Sequence, residues 1–229
     1  MEMPLDHEAY AAQRARWPAS GQHILAQHDA DTVVVYQAYR PSIGAAAVAD
    51  GRLGGGGFGM GRMSWIKPNF LWMMFRSGWG TKPDQEVTLA LRITRAGFEE
   101  ILAAAVPSGF KPGQFESREA WEAAVRGSDV RLQWDPDHGP TGEPCERRAI
   151  QLGLRGAALR RLVEEWTVGV EDLSAFVAEQ RELRHDRARL ITPRETVYTP
   201  APAVAARLGL SAEGAFDPMT TAPRPPPTP

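Results

Sequence analysis

Residues 62–80 read RMSWIKPNFLWMMFRSGWG and concentrate aromatic and basic side chains. This stretch holds three Trp, two Phe and three Met beside two Arg and one Lys. Indole rings offer flat surfaces on which a base can stack, and the basic side chains offer fixed charge for a phosphate. The same residues can also build a core, and the pattern leaves both interpretations open.

The three tryptophans stand seven residues apart, which would align them on one face of a continuous helix. Pro68 and Gly78 interrupt such a helix, so we expect a shorter helix that begins near Pro68. Aromatic residues at helical spacing usually face a core, which favours packing for Trp72. Trp65 and Trp79 are then the candidates to stack on a base.

Arg62, Lys67 and Arg76 are the candidate anion contacts. Their sequence neighbours are neutral, and the next acid along the chain is Asp84. A buried cation without a carboxylate is suited to phosphate. The alternative is pairing with acids from distant segments or exposure to solvent. For Lys67 we favour that alternative, because its long stem lets the ammonium reach water.

Length and composition bound the class of protein. The chain has 229 residues, 43% of them hydrophobic, which suits one large domain. Twenty-six basic against 28 acidic residues give a net charge of −2, which argues against coating nucleic acid through bulk charge. Cys145 is the only cysteine, which excludes an internal disulfide. The start of the chain lacks a signal-peptide pattern and no segment has the length of an apolar membrane span, so we expect a cytoplasmic protein with no membrane partner.

Alternating and periodic segments predict an α+β fold. We expect strands at residues 32–36, 87–93, 130–134 and 148–154, and helices at 7–17, 42–48, 96–105, 156–166 and 170–183. This mixture predicts a small mixed or antiparallel sheet wrapped by helices. Residues 1–200 would form a single domain, and residues 201–229 a proline-rich, disordered tail.

Two loops are ambiguous. The glycine-rich run 51–61 lacks the Lys-Ser/Thr of a phosphate loop, so a flexible connector is favoured. Asp135, Asp137 and His138 form the best acid–base or metal cluster, but Asp-Pro-Asp-His-Gly-Pro is also ordinary turn composition. Because a metal site needs more ligands than this loop offers, we expect no metal.

Several blocks resemble the DUF4291 family, a group of bacterial and fungal proteins of unknown function. The matching blocks are residues 35–39, 62–68, 70–79, 133–138 and 149–156. The resemblance extends to about Tyr198 and implies one complete domain, without a reaction that could be transferred.

A second resemblance is to the architecture of ADP-ribosyltransferase-like folds. It is carried by Tyr36 and Gln37 on a first strand, the helix that follows, and the hairpin near Gln133. It implies that Gln37 grips the ribose of NAD and that Gln151 stands at the late-strand catalytic position. Those enzymes usually carry His or Arg at the first position and Glu at the second. Gln can hydrogen-bond a ribose but lacks the charge that stabilises an oxocarbenium ion.

We therefore expect a nucleotide-handling domain, in its most specific form an ADP-ribosyltransferase-like transferase using NAD on a small molecule or nucleic acid. The candidate catalytic residues are Gln151, Asp135 and His138. The cofactor would be held by Tyr36, Gln37, Tyr39, Arg62, Trp65, Lys67, Arg76 and Trp79. One alternative is a non-catalytic module for single-stranded nucleic acid, against which the net charge counts. The other is an enzyme of secondary metabolism.

Overall fold

The structure, a computed structural model, describes residues 5–110 and 112–211. Helices and strands are mixed along the described chain, so the predicted α+β class is confirmed. The strands are β1 (His7–Ala9), β2 (Gly21–Gln22), β3 (Ile24–Ala26), β4 (Thr32–Tyr39), β5 (Ser64–Ile66), β6 (Val87–Thr94), β7 (Val106–Pro107), β8 (Val130–His138), β9 (Pro144–Leu154), β10 (Thr167–Asp172), β11 (Ile191–Pro193) and β12 (Thr196–Tyr198).

The α-helices of the described residues are short. They are α1 (Tyr10–Arg14), α2 (Pro41–Asp50), α3 (Phe70–Ser77), α4 (Arg95–Ala104), α5 (Arg118–Gly127), α6 (Gly156–Arg161), α7 (Ser174–Leu183) and α8 (Pro202–Leu208). A π-helical turn, Leu162–Trp166, continues α6. Within residues 5–110 and 112–211, no helix has the length and apolar character needed to cross a membrane.

Two sheets organise the fold. One is antiparallel, in the order β10-β6-β4. The other is mixed, in the order β2-β9-β8-β7, with β5 paired to the far end of β9. Two small pairs, β1 with β11 and β3 with β12, bring the C-terminal strands back to the N-terminal region.

Strand β4 lies between two hydrophobic cores, which explains its continuous apolar sequence. Val33 and Val35 face one core, while Val34 and Tyr36 face the other. All four are fully buried. Since successive side chains of a strand point to opposite faces, a run of β-branched and aromatic residues suits a strand covered on both sides.

A backbone bridge joins the two sheets beside the aromatic–basic stretch. The Tyr36 amide donates to the Lys67 carbonyl at 2.7 Å, and the Lys67 amide donates back to the Tyr36 carbonyl at 3.2 Å. Lys67 directly follows β5, so the bridge sets the end of β4 against β5. The polar residues that end β4 therefore face those of the second sheet.

Helix α3 begins after Pro68, with Asn69 as its N-cap. The Asn69 side chain accepts from the Trp72 amide at 2.7 Å. The buried Glu195 carboxyl accepts from the Phe70 amide at 2.6 Å, so two amides of the first turn have side-chain partners. Gly78, in the left-handed region at φ 61°, ends the helix.

Several predicted boundaries were wrong because tertiary pairing overrode local composition. Residues 135–138 were expected in a turn but continue β8, since β9 pairs with them as far as His138. Residues 170–172 were expected in a helix but belong to β10, which pairs with β6. His7–Ala9 is a strand instead of the start of a helix, because it pairs with β11.

The boundary of the tail also differs from expectation. Helix α8 lies within the segment predicted to be disordered, and its Leu208 is buried in the larger core. The Trp134 indole donates to the Leu208 carbonyl at 3.1 Å. The ordered chain therefore continues through α8. Residues 212–229, the rest of the predicted tail, lie outside the described residues.

Candidate functional site

A cleft of about 660 Å³ opens where the end of β4 meets β5. The glycine-rich loop, α3 and the hairpin of β8 and β9 supply its other walls. The residues that matter to its chemistry are Gln37, Tyr39, Arg40, Arg62, Trp65, Lys67, Arg76, Asp84, Gln133 and Gln151. Most of the predicted cofactor-binding residues thus share one cleft.

Four cations line this cleft without a matching set of acids. Among the described residues, none of Arg40, Arg62, Lys67 and Arg76 has a carboxylate within 4 Å, and Asp84 is the one acid in the lining. The contacts of Arg40 and Arg76 are with neutral groups, Ser42 at 3.1 Å and Gln85 at 3.5 Å. The cleft therefore carries excess positive charge.

The four cations form what we call the basic wall of the cleft, and Lys67 is the buried member of it. Lys67 is 5% exposed. Among the described residues its ammonium has one weak contact, with the Trp65 carbonyl at 3.5 Å. Burial, together with the positive charge of Arg76, lowers the pKa of Lys67 to about 8, against the opposing effect of the Asp135 carboxylate. We had expected Lys67 to reach solvent or a distant acid, and that was wrong: the bridge to Tyr36 fixes its backbone inside the protein.

The amide of Gln37 is oriented by the protein. Its nitrogen donates to the Ser64 hydroxyl at 2.7 Å and to the Trp65 carbonyl at 3.2 Å. Because a carbonyl can only accept, this contact fixes which end of the amide is the donor. The Gln37 carbonyl oxygen is buried and has no hydrogen-bond partner among the residues that the structure describes. Tyr39 shares the Ser64 hydroxyl at 3.0 Å, and burial raises the pKa of Tyr39 to about 12.

Gln133 and Gln151 form a second oriented pair. They are direct partners across β8 and β9, and both donate to Asp135, at 3.0 and 2.6 Å respectively. Since a carboxylate accepts and does not donate, both amide nitrogens are committed to it. Asp135 itself does not line the cleft; it holds the two glutamines that do.

Trp65 lies over a glycine in the neighbouring strand. It pairs in register with Gly153, where an added Cβ would come within 2.9 Å of the indole Cε2 and 2.6 Å of the Met63 sulfur. The missing side chain thus makes room for the ring. Gly153 and Gln151 are two apart on β9 and share one face, so the indole stands on the same face of the sheet as the oriented amide.

The glycine-rich loop is packed against α2 and is not the flexible connector we expected. At Gly56 (φ +62°) an added Cβ would lie 2.0 Å from the Ser42 carbonyl oxygen. The hydroxyl of Ser42, which lies in the first turn of α2, donates to the Gly56 carbonyl at 3.1 Å and ties the loop to the helix. Gly57 and Gly59 then line the cleft.

Four of the predicted site residues lie outside the lining of the cleft: Asp135, which holds the two glutamines, and Tyr36, Trp79 and His138. Tyr36 and Trp79 belong to the smaller hydrophobic core, where Trp79 is 7% exposed and its indole donates to the Pro140 carbonyl at 3.0 Å. His138 is stacked on Phe75, with ring centroids 3.5 Å apart, and burial lowers the pKa of His138. Tyr36, Trp79 and His138 are therefore not among the predicted residues that the cleft brings together.

The acidic cluster at the end of β8 is divided among separate partners. Asp137 is buried and accepts from the Arg147 Nε at 2.8 Å, while Asp135 accepts from the two glutamines. Within the part of the chain that the structure describes, no group of three or more His, Cys, Asp or Glu side chains is arranged to hold a metal ion. The three residues 135, 137 and 138 therefore do not form one site.

Two lining residues, Arg40 and Gln133, escaped the sequence analysis as ligand contacts. Arg40 directly follows β4, so its position after Tyr39 at the end of a buried strand was a usable signal. Gln133 stands opposite Gln151 in the hairpin, and the predicted pairing of those two strands would have placed it on the same face.

The family model described as "Domain of unknown function (DUF4291)" matches residues 23–198, a range that contains the whole lining of the cleft. No curated protein matches the chain.

Proposed function

The chain belongs to the DUF4291 family, and from the chemistry of its cleft we propose that it binds a phosphorylated nucleotide. The observation that carries the proposal is the burial of Lys67 beside Arg76 without a carboxylate partner. A buried unpaired ammonium is costly, and an anion bound in the cleft would offset that cost. Phosphate suits such a site because it accepts several charge-assisted hydrogen bonds at once.

The size and lining of the cleft support a nucleotide over a bare anion. A volume of about 660 Å³ falls within the range of small-molecule sites, roughly 300–1,000 Å³. In the proposed complex Lys67, Arg76 and Arg62 bind the phosphates. Trp65 stacks on the base, and Gln37 accepts from the ribose or base.

The enzymatic form of the proposal is ADP-ribosyl transfer from NAD by a cytoplasmic protein. Gln37 on β4 and Gln151 on β9 both line the cleft, as the resemblance to ADP-ribosyltransferase-like folds requires. Asp135 lies behind Gln151 and supplies negative charge near the reacting centre through that amide. This form predicts release of nicotinamide from NAD, with loss of that release in Gln151→Ala.

A titration of the wild-type chain tests the binding proposal. Calorimetry with pyrophosphate, AMP, NAD and adenosine should give binding of the three phosphorylated probes and much weaker binding of adenosine. Affinity should fall as the salt concentration rises, because dissolved ions screen the attraction between the cations of the cleft and the phosphate. No binding of any phosphorylated probe at millimolar concentration would refute the proposal.

A short single-stranded RNA, added to the same set of probes, separates binding of a free nucleotide from binding of nucleic acid. Binding of a short single-stranded RNA together with failure to bind AMP would favour the nucleic-acid module instead, with a steep dependence of affinity on salt. The volume of the cleft, about 660 Å³, favours a mononucleotide or dinucleotide.

A further inference from the structure

Three glutamines of the cleft share one arrangement of donors and acceptors. The amide nitrogens of Gln37, Gln133 and Gln151 are all committed to protein acceptors. No protein donor reaches any of the three carbonyl oxygens within the described residues, and that of Gln37 is fully buried. Gln133 and Gln151 are half-buried in the lining of the cleft, so their carbonyl oxygens are acceptors that a donor on a ligand can reach.

A ligand that covers these oxygens excludes water from them, so a ligand that donates to them gains affinity over one that leaves them unpaired. Phosphate groups only accept at their ionised oxygens and cannot serve these amides. The donors must come from the part of the ligand that carries no phosphate. The three glutamines, which we call the amide wall, therefore bind a different part of the ligand from the part that the basic wall binds.

The position of Trp65 indicates which part of a nucleotide meets the amides. The indole lies over Gly153, and Gln151 stands two residues away on the same face of β9. A base stacked on this indole would direct its edge toward Gln151 and its cross-strand partner Gln133. An exocyclic amino group has two hydrogens, which matches two neighbouring carbonyl oxygens.

We propose that the cleft selects nucleotides whose base carries an exocyclic amino group, which donates to the carbonyl oxygens of Gln133 and Gln151. This inference rests on the proposed nucleotide binding and names the class of base; it does not rest on the enzymatic form, in which Gln151 stands at the reacting centre instead. Asp135 is the positioning residue: by accepting from both amide nitrogens, it turns both oxygens toward the ligand. Adenine, cytosine and guanine nucleotides fit, and uracil nucleotides lack the amino group.

A matched pair of ligands tests the selection directly. AMP and purine riboside 5′-monophosphate differ by the 6-amino group alone, and pyrophosphate reports the basic wall by itself. We expect AMP to bind about tenfold more tightly than the deaminated analogue, since one or two hydrogen bonds to otherwise unpaired acceptors are lost. Equal affinity of the pair, with pyrophosphate still bound, would overturn this inference and leave the proposed function standing. If neither nucleotide nor pyrophosphate binds, the proposed function fails and this inference fails with it.

A nucleotide with an altered sugar tests whether the donor to the amide oxygens is the base or the ribose. Suppose that 2′,3′-dideoxy-AMP binds about tenfold more weakly than AMP, while the deaminated analogue binds as tightly as AMP. The amide oxygens would then accept from the ribose hydroxyls. That result would overturn the assignment to the base. Retained discrimination by the base, whatever the sugar contributes, supports it.

The role of Asp135 is tested by Asp135→Asn. An asparagine there donates as well as accepts, so one glutamine must turn its oxygen inward and its nitrogen toward the ligand. The ratio of AMP affinity to that of purine riboside monophosphate should fall toward one, while pyrophosphate affinity does not fall. If Asp135 had only a structural role, this ratio of affinities would not change.

Should Asp135→Asn fold poorly, Gln151→Met provides the same readout. Its ratio of AMP affinity to purine riboside monophosphate affinity should fall while pyrophosphate binding persists, and an unchanged ratio would overturn the proposal.

Discussion

The guanidinium of Arg76 lies close enough to the buried ammonium of Lys67 to lower the pKa of Lys67, and no carboxylate of the described residues lies within 4 Å of either group. Two like charges in one cleft weaken the fold unless something compensates them. Bound phosphate would do so, because it pairs with both groups at once. This relationship yields predictions on binding and on protonation.

Arg76→Ala should weaken the binding of pyrophosphate and AMP by about tenfold or more, the effect of one charge-assisted hydrogen bond. The melting temperature should change little, because Arg76 is exposed and lacks an ion pair among the described residues. Arg126→Ala on α5 is the matched control, since it removes an equal charge from an exposed site outside the cleft. Equal losses in both variants would show that only net charge matters.

Phosphate binding should take up protons between about pH 8 and 10. Free Lys67 is largely neutral above its pKa of about 8, and a bound anion raises that pKa toward its ordinary value of 10.5. Affinity should therefore fall as pH rises through this interval. Calorimetry at pH 8.5 in two buffers of different ionisation enthalpy measures the uptake. Lys67→Met should show none, and equal uptake in that variant would place the proton elsewhere.

Gly56→Ala should destabilise the protein more than Gly51→Ala. Both glycines have positive φ, +62° and +64°, so both substitutions carry the left-handed strain of about 1–2 kcal/mol. Only at Gly56 would the new Cβ strike backbone, whereas nothing lies within 4 Å at Gly51. The difference in the free energy of unfolding should be about 1–3 kcal/mol. Equal effects would mean that the loop yields, and that it is not a packed wall of the cleft.

Glu195→Gln should stabilise the protein increasingly as pH rises from about 5 to 8. Burial raises the pKa of Glu195 to about 8 from its ordinary 4.5, so the folded state keeps the proton longer than the unfolded state. The contribution of this carboxyl to stability is fully present below pH 4.5 and is lost as pH rises to about 8. The glutamine keeps an oxygen for the Phe70 amide and does not titrate. At pH 5 the melting temperatures of the variant and the wild type should agree, and at pH 8 that of the variant should be higher. A variant less stable than the wild type at pH 8 would contradict the raised pKa of Glu195.

Local signals predicted the parts of this fold that depend on neighbouring residues. Thr94 directly precedes most of the predicted helix 96–105 and caps α4, since its side chain accepts from the Gly97 amide. Phe98, Ile101 and Leu102 all face the core, at the spacing of one helix face. Such features need no knowledge of distant partners.

The features that escaped prediction depend on distant pairing. Residues 170–172 became a strand because β6, about 80 positions earlier, supplies their hydrogen bonds. Lys67 is buried because Tyr36 holds its backbone, and Trp79 is sealed in a core by elements from both ends of the chain. The cleft itself was foreseen only as a set of residue types, since periodicity does not reveal which strand ends meet.

The most direct measurement is a crystal structure of the chain soaked with AMP. The account predicts the phosphate within hydrogen-bond distance of the Lys67 ammonium and the Arg76 guanidinium, with the adenine ring on Trp65. Nucleotide bound elsewhere, or bound here with its phosphate turned away from both cations, would contradict it.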